Sequence, residues 1–286
     1  SSLTRSKQAA MKVWLITGSS TGLGRALAQE LLENGYQVAA TARNPASVED
    51  LKKKFGNKVL CPPMDVTNPA QVRKAVADTL NHFGRIDVVV NNAGYGLIGA
   101  IEEVTDQEIR AQLETNFFGT LDVIRTILPH FRQQKSGHIL NISSIAGFRA
   151  SAGAGLYNST KFAVEGLSEA LAKEVMHLGI RVTIVEPGPF RTDFGGRSIT
   201  RTSNELDDYV PSAGKMREYY DKAHGNQIGD PVKAAKAMIK AVEGPYESLR
   251  LPLGPGTLKG MKEKMEEVRR DIMLWEEIAM NSSFDE

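Results

Sequence analysis

Short runs of β-favouring residues alternate with segments of helical periodicity along most of this sequence, and this alternation restricts the fold more than any other feature. The predicted strands cover residues 13–17, 37–42, 59–64, 88–90, 138–142, 181–185 and 249–253. The clearest helices are predicted over 23–34, 69–83, 106–131, 157–177, 231–242 and 260–278. Strands that alternate with helices form βαβ units, in which helices cover both faces of a parallel sheet. The sequence therefore predicts an α/β fold with a buried parallel sheet.

The chain contains no linker, repeat or low-complexity tract that would divide it into several domains. We therefore expect one domain over residues 11–286, preceded by a disordered polar tail over residues 1–10. The alternation stops after Gly188, and residues 189–229 contain no clear predicted strand. That segment is instead rich in Gly, Ser, Thr and aromatic residues.

The composition excludes several classes of partner. A formal net charge of +1 gives no reason to expect nucleic acid or an anionic membrane. No stretch approaches the apolar length that a transmembrane helix needs. Cys61 is the only cysteine, so an internal disulfide is excluded, and this suits a reducing compartment. We expect a cytoplasmic protein that has no metal site and acts on a small molecule.

A glycine-rich turn connects the first predicted strand to the first helix, with the sequence T-G-S-S-T-G-L-G over residues 17–24. Small residues allow a sharp turn, and the exposed N–H groups at the start of the helix attract phosphate. An ordinary glycine turn is the alternative, but the position between strand and helix favours a dinucleotide site. The candidate cofactor residues in this turn are Gly18, Ser20, Gly22, Leu23 and Gly24.

The spacing G-x-x-x-G-x-G resembles that of the short-chain dehydrogenase/reductase family. The further motifs that carry the resemblance are Asn91-Asn92-Ala93-Gly94, Asn116, Asn141-Ile142-Ser143-Ser144, Tyr157-Asn158-Ser159-Thr160-Lys161 and Pro187-Gly188. They occur in the order and spacing of the family across residues 12–253. The resemblance implies a Rossmann-type, doubly wound sheet of seven mostly parallel strands in a single domain. It also implies a homodimer or homotetramer.

The end of the second predicted strand bears on the choice between NADP(H) and NAD(H). Members of the family that prefer NAD carry Asp where this chain has Ala42, so no carboxylate repels a 2′-phosphate there. Arg43 follows at once, and a guanidinium suits the geometry of a phosphate. The basic residue that the family often places within the glycine motif is replaced by Thr21. These residues favour NADP(H), while NAD(H) remains possible if Arg43 is only a surface arginine.

The resemblance implies further contacts with the cofactor. Asp65, followed by Val66, corresponds to the carboxylate that binds the adenine amino group, although an N-cap role for Asp65 is an alternative. Gly94 belongs to the segment beside the adenosine ribose, and its alternative role is that of a plain turn glycine. The remaining candidates of this kind are Asn92, Ala93, Pro187, Gly188 and Thr192.

Tyr157 and Lys161 lie four residues apart at the start of a predicted helix and therefore share one face. A free phenol has a pKa of roughly 10, and a nearby ammonium group stabilises the phenolate. The resemblance implies that Tyr157 is the general acid/base and that Lys161 tunes it and binds the nicotinamide ribose. It assigns the orientation of the substrate oxygen to Ser144, with Ser143 as the competitor, and the binding of a relay water to Asn116.

These residues predict an NADP(H)-dependent oxidoreductase that interconverts a carbonyl and an alcohol by hydride transfer. A non-catalytic, NADP(H)-sensing regulator on the same fold is the alternative. The resemblance further implies a lid over the substrate at about residues 189–229, with five aromatic residues and two possible glycine hinges. They are Phe190, Phe194, Tyr209, Tyr219 and Tyr220, and Gly195 and Gly196. The strand end at 251–254 faintly resembles hydroxysteroid dehydrogenases.

Overall fold

The computed structural model describes residues 11–188, 199–223 and 229–285. In chain order the elements of its first half are β1 Val13–Ile16, α1 Gly22–Glu33, β2 Gln37–Ala40, α2 Glu49–Phe55, β3 Val59–Leu60, α3 Pro69–Phe83, β4 Val88–Asn91, β5 Gly96–Ile98, α4 Asp106–Leu113 and α5 Thr120–Gln134. The second half contributes β6 Gly137–Ile142, α6 Gly155–Val175, β7 Ile180–Pro187, β8 Ile199–Arg201, α7 Ala213–Ala223, α8 Pro231–Glu243, β9 Arg250–Leu253 and α9 Pro255–Met280.

Seven strands form one sheet in the order β3-β2-β1-β4-β6-β7-β9, and every neighbouring pair is parallel. The order reverses at β1, which pairs with β2 on one side and with β4 on the other. The predicted single-domain, doubly wound fold is confirmed. In such a sheet the ligand site lies beyond the carboxyl ends of the strands, at the point of reversal.

Successive residues of each strand bury their side chains in two different apolar layers. Trp14 and Ile16 belong to the layer that α1 and α8 cover, while Leu15 belongs to the layer covered by α3, α5 and α6. All three are fully buried. Burying a large apolar side chain stabilises a fold by about 1.5–3 kcal/mol, which explains why these strands read as continuous apolar runs.

Several boundaries differ from the sequence prediction. The third strand is only Val59–Leu60, followed by an isolated parallel bridge between Ala42 and Pro63. Two consecutive prolines lack the N–H groups that a longer ladder would need. The long helix predicted over 106–131 is interrupted by a π-helical turn at Glu114–Gly119 and continues to Gln134.

The prediction that residues 189–229 contain no strand is wrong for the part that the structure describes. Ile199–Arg201 pairs with Gly96–Ile98 in a small parallel sheet, and the helix Ala213–Ala223 follows. Both strands are too short for a periodic signal. The predicted lid residues Phe190, Phe194, Gly195 and Gly196 lie outside the described residues, and so does the tail over residues 1–10.

A buried ion pair fastens α7 to the loop after β5. The guanidinium of Arg217 donates to Glu103 Oε1 over 3.1 Å, and Glu103 is 1% exposed. The same carboxylate accepts from the backbone N–H groups of Ala100 at 2.8 Å and Leu206 at 2.7 Å. Burial raises the pKa of Glu103, but these hydrogen bonds and Arg217 outweigh it and leave the pKa lowered. Helix α7 is thereby held against the rest of the domain.

None of the helices among residues 11–188, 199–223 and 229–285 is both long and apolar enough to cross a membrane.

Candidate active site

A cleft of about 1960 Å³ lies along the carboxyl ends of the strands, and most of the predicted site residues line it. From the predicted cofactor set these are Gly18, Ser20, Gly22, Leu23, Arg43, Asp65, Val66, Asn92, Ala93, Gly94, Pro187 and Gly188, and from the predicted catalytic set Ser144, Tyr157 and Lys161. Gly24 and Asn116 lie behind the wall of the cleft, whereas Thr192 is outside the described residues. One continuous cavity therefore joins the glycine turn to the tyrosine and lysine.

The glycine turn has the shape of a phosphate cradle. Gly18 and Gly22 have φ angles of +64° and +58°, which glycine adopts without strain. A Cβ at Gly24 would overlap the carbonyl oxygen of Gly18 and the side-chain amide of Asn92. Thr21 caps α1 without a side-chain hydrogen bond, so the first N–H groups of the helix stay open to an anion. These features fit a pyrophosphate.

The end of β4 is fixed against this turn. Thr17 Oγ1 accepts hydrogen bonds from the backbone N–H groups of Asn92 and Ala93, both at 2.9 Å. The Asn92 side chain donates to the Gly18 carbonyl over 3.0 Å. Thr17 was not among the predicted site residues, although its position directly before Gly18 is a signal that could have found it.

The edge of the cleft beside β2 carries the residues that bear on cofactor preference. Arg43 is exposed there, and no hydrogen bond or ion pair holds its guanidinium among the described residues. Asp65 accepts from both the N–H and the hydroxyl of Thr67, at 2.9 and 2.7 Å. The N-cap of α3 is Asn68, so the alternative role of Asp65 as a helix cap is wrong.

Tyr157 and Lys161 lie in the first two turns of α6 and meet the end of β6. The Lys161 ammonium donates to the Ile142 carbonyl over 3.0 Å and lies 5.9 Å from the centre of the Tyr157 ring. The Ser144 hydroxyl accepts from the N–H of Ala146 at 3.0 Å, and it lies near enough to Tyr157 to lower the pKa of the phenol. The serine, the phenol and the ammonium thus line the same cleft, where the end of β6 meets the start of α6.

Burial shifts the protonation of both groups. It raises the pKa of Tyr157 to about 12, with a further increase from the neighbouring Tyr220 and an opposing effect of the Ser144 hydrogen bond. Burial also lowers the pKa of Lys161 to about 8, although Glu165 opposes this. At neutral pH the phenol therefore holds its proton, and most of Lys161 is still charged.

Asn116 lies in the π-helical turn Glu114–Gly119 and is 1% exposed. Its amide oxygen accepts from the N–H of Tyr95 at 3.0 Å, and its amide nitrogen donates to the Tyr95 carbonyl at 2.9 Å and to Thr160 Oγ1 at 3.1 Å. A Cβ on Gly94 would come within 3.0 Å of the Asn116 oxygen and 3.8 Å of the Lys161 nitrogen. The asparagine therefore braces the backbone beside the lysine, and a side chain at position 94 would crowd its amide oxygen.

Ser143 and Ser144 face different partners. Ser143 is 3% exposed and donates to Glu165 Oε2 over 3.2 Å, away from Tyr157. The Ser144 hydroxyl instead lowers the pKa of the Tyr157 phenol. The two serines are adjacent, so only the direction of the backbone at the end of β6 distinguishes them.

A buried acid pair behind the lysine was missed from the sequence. Glu165 and Glu186 are 5% and 0% exposed, and the Arg250 guanidinium bridges the two carboxyl groups. Burial and the neighbouring Glu186 raise the pKa of Glu165 to about 9. Glu186 Oε1 is buried and receives no hydrogen from another group among the described residues, so a proton on Glu165 is its natural donor. The position of Glu165, four residues after Lys161 on α6, was the available signal.

The Glu165→Gln variant should gain stability over the wild type as the pH rises. The folded-state pKa of Glu165 lies above its ordinary value of 4.5, so its contribution to stability is complete below pH 4.5 and is lost as the pH rises towards 9. Glutamine has nearly the same shape as a protonated glutamate but does not ionise, so the variant does not lose this stability as the pH rises. From pH 5 to pH 8 we expect the Tm difference, variant minus wild type, to increase by about 3 °C or more, which is roughly 1 kcal/mol for a chain of this size.

Thermal unfolding followed by circular dichroism measures this difference, with Glu169→Gln as the control. Glu169 lies on the exposed side of the same helix, so its replacement should give the same Tm difference at both pH values. A pH-independent difference for Glu165→Gln would show that Glu165 is ionised in the folded protein.

Comparison with known proteins agrees with this architecture. The family model described as short chain dehydrogenase matches residues 12–202. Oxidoreductase BOA17 of Botryotinia fuckeliana is 39% identical over 273 residues, which cover 95% of this chain and 99% of the relative. The 3-ketodihydrosphingosine reductase of Bacteroides thetaiotaomicron is 39% identical over 245 residues, covering 85% and 88%.

A solved short-chain dehydrogenase from Streptomyces avermitilis superposes with a TM-score of 0.90 at 37% identity, covering 96% of this chain and 99% of that one. The segment that the family model matches, residues 12–202, contains the glycine turn, the asparagine of the π-helical turn and the tyrosine–lysine pair. This chain belongs to the short chain dehydrogenase family of oxidoreductases.

Proposed function

We propose that this protein is an NADP(H)-dependent oxidoreductase that interconverts a carbonyl and an alcohol, with Tyr157 as the general acid/base. The observation that carries the proposal is the meeting of Ser144, Tyr157 and Lys161 in the same cleft as the glycine cradle. A hydride acceptor or donor and a proton donor are both needed for this reaction, and the cleft offers a place for each.

The cradle at Gly18 and Gly22 supports a nicotinamide dinucleotide as cofactor. Two further solved relatives hold such a cofactor: ElxO, 28% identical with a TM-score of 0.71, has NADP bound, and a 3-ketoacyl-(acyl-carrier-protein) reductase from Brucella melitensis, 26% identical with a TM-score of 0.72, is complexed with NADH. We propose NADP(H) for this chain because Ala42 brings no carboxylate and Arg43 offers an unengaged guanidinium at the edge of the cleft.

In the proposed reaction the bound nicotinamide supplies or accepts a hydride. Ser144 holds the substrate oxygen and stabilises the negative charge that develops on it during reduction. Tyr157 Oη donates a proton to that oxygen; burial raises its pKa, so the phenol holds this proton at neutral pH until the oxygen becomes basic enough to take it. Lys161 holds the cofactor ribose and stabilises the phenolate that remains. Asn116 holds the backbone at Tyr95 and is proposed to position a water that returns the proton.

Several apolar and aromatic side chains line the cleft beyond Tyr157. They include Leu97, Ile145, Ile199, Met216, Tyr219 and Tyr220. Helix α7, which the Glu103–Arg217 pair holds in place, contributes three of them. We propose that this helix is part of a lid over an apolar ketone or aldehyde. The relative named as a 3-ketodihydrosphingosine reductase supports a ketone.

The function is tested by following NADPH absorbance with a panel of ketones, aldehydes, quinones and hydroxysteroids. We expect oxidation of NADPH with at least one apolar carbonyl compound, and the reverse reaction with the matching alcohol. Tight binding of NADPH without turnover of any class would instead favour a non-catalytic, NADP(H)-sensing protein.

The Arg43→Ala variant should lose its preference for the phosphorylated cofactor. A charge-assisted hydrogen bond to a 2′-phosphate contributes about 1.5 kcal/mol or more, so we expect the ratio of kcat/KM for NADPH to kcat/KM for NADH to fall about tenfold. Arg73→Ala is the control, because Arg73 is an exposed arginine on α3 that does not line the cleft. An unchanged ratio in Arg43→Ala would remove Arg43 from cofactor selection.

A further inference from the structure

Helix α9 begins on the body of the domain and continues past its edge. Thr257 and Met261, in its first two turns, are buried at 1% and 8% exposure. Arg149 forms ion pairs with Glu263 at 2.5 Å and Glu267 at 2.7 Å, which fasten the next turn. Every residue from 265 to 280 is exposed, and we call this segment the arm.

The arm carries an apolar stripe that starts at the body. The stripe is formed by Met261, Met265, Val268, Ile272, Trp275 and Ala279. Their spacing alternates between four and three residues, which places them on one face of the helix and is typical of the seam between two paired helices. Met261 is buried by the body, whereas Ile272 and Trp275 are 60% and 57% exposed. A contiguous apolar stripe of this length is unusual on a face that stays in water.

The charges beside the stripe are segregated along the helix. The charged residues that directly flank its apolar positions are Lys262, Lys264 and Arg269 in the first half and Asp271 and Glu276 in the second, and Lys264 also donates to the Phe148 carbonyl of the body over 3.2 Å. The three flanking residues in the first half are basic, and the two in the second half are acidic. Charges at such flanking positions determine the partner and the orientation of paired helices.

We infer that the arms of two copies of this chain pair with each other, antiparallel, along this stripe. In the antiparallel orientation Val268 of one copy lies opposite Ile272 of the other, and Lys262 of each arm lies beside Glu276 of the other, while Arg269 and Asp271 lie beside their own counterparts. A parallel pair would place like charges together at every charged flanking pair, Lys264 beside Arg269 and Asp271 beside Glu276. An anionic membrane surface is a poorer partner, because the outer half of the arm, with Asp271, Glu276 and Glu277, contains no basic residue. This inference does not depend on the proposed reaction.

Molar mass in solution, measured by light scattering on the full chain, tests the pairing. The double variant Ile272→Lys/Trp275→Lys places two charges in the stripe and should reduce the mass of the wild-type assembly by half. Leu274→Lys is the control, because Leu274 is 74% exposed on the opposite face of the arm, and it should keep the wild-type mass. Equal masses for the wild type and the double variant overturn the inference. So does a wild type that is monomeric and binds phosphatidylcholine vesicles through the arm.

Disulfide trapping tests the orientation independently. In a Cys61→Ser background, which removes the only cysteine, a Val268→Cys chain is mixed with an Ile272→Cys chain and oxidised. Antiparallel arms should give mainly the mixed dimer linked between positions 268 and 272. A product dominated by 268–268 and 272–272 links shows parallel arms, and the absence of any linked product overturns the pairing.

Discussion

The Tyr157→Phe variant should lose turnover by about 10²- to 10⁴-fold in kcat while the Kd for NADPH stays within about threefold of the wild type. Phenylalanine keeps the ring and its packing but removes the hydroxyl that we propose as the proton donor. The cofactor cradle is formed by other residues, so binding should survive. Single-turnover absorbance with the best substrate of the panel measures the first quantity, and fluorescence titration measures the second.

Tyr246→Phe is the matched control for this variant. Tyr246 is 47% exposed and does not line the cleft, so removal of its hydroxyl should leave kcat unchanged. A Tyr157→Phe enzyme with turnover within a few-fold of the wild type would show that another group, or water, supplies the proton.

The protonation of Tyr157 suits the reducing direction of the proposed reaction. Burial raises the pKa of Tyr157 to about 12, so the phenol holds the proton that reduction requires. Alcohol oxidation would first need the phenolate of Tyr157. The positive charge of the Lys161 ammonium would stabilise that phenolate. Burial lowers the pKa of Lys161 to about 8, so this charge is itself lost as the pH rises above that value.

Most of the fold could be predicted because short apolar, strand-like runs alternate along the chain with segments of helical periodicity. Buried strands such as Val88–Asn91 read as apolar runs, and proline at the first helical position of Pro69–Phe83 marked a helix start. The short pair Gly96–Ile98 and Ile199–Arg201 was missed, since three residues carry no periodic signal and the pairing joins segments about a hundred residues apart. The π-helical turn was missed because its sequence is compatible with an uninterrupted α-helix.

The candidate site also contains parts that could be predicted from the sequence and parts that could not. The glycine turn and the pair Tyr157 and Lys161 are local in sequence, so spacing alone placed them on one turn or one helix face. The acid pair of Glu165 and Glu186 joins α6, β7 and, through Arg250, β9. Such a cluster depends on three elements that come together only in the folded chain. Most of the arm lies within the helix predicted over residues 260–278, but the sequence did not show that this helix leaves the body.

Replacing Ser144 by Ala should lower kcat about 10²- to 10³-fold, because a donor directed at the developing negative charge is lost. Replacing Ser143 by Ala removes the same atom one residue earlier and should change kcat by less than about threefold, since this hydroxyl donates to Glu165 and not towards Tyr157. Steady-state kinetics of both variants, with the substrate used for Tyr157→Phe, gives the comparison.

The two serine variants remove the same hydroxyl group from adjacent positions at the end of β6. A difference in kcat between them therefore reports where each hydroxyl points and not the loss of a hydroxyl as such. Each variant loses one hydroxyl hydrogen bond, so differences in stability between them are expected to be small beside the difference in kcat. Equal losses in both variants would mean that the end of β6 acts only as a scaffold. A larger loss in Ser143→Ala would mean that the substrate oxygen approaches from the side of Glu165, and it would move the proposed reaction centre away from the Tyr157 phenol.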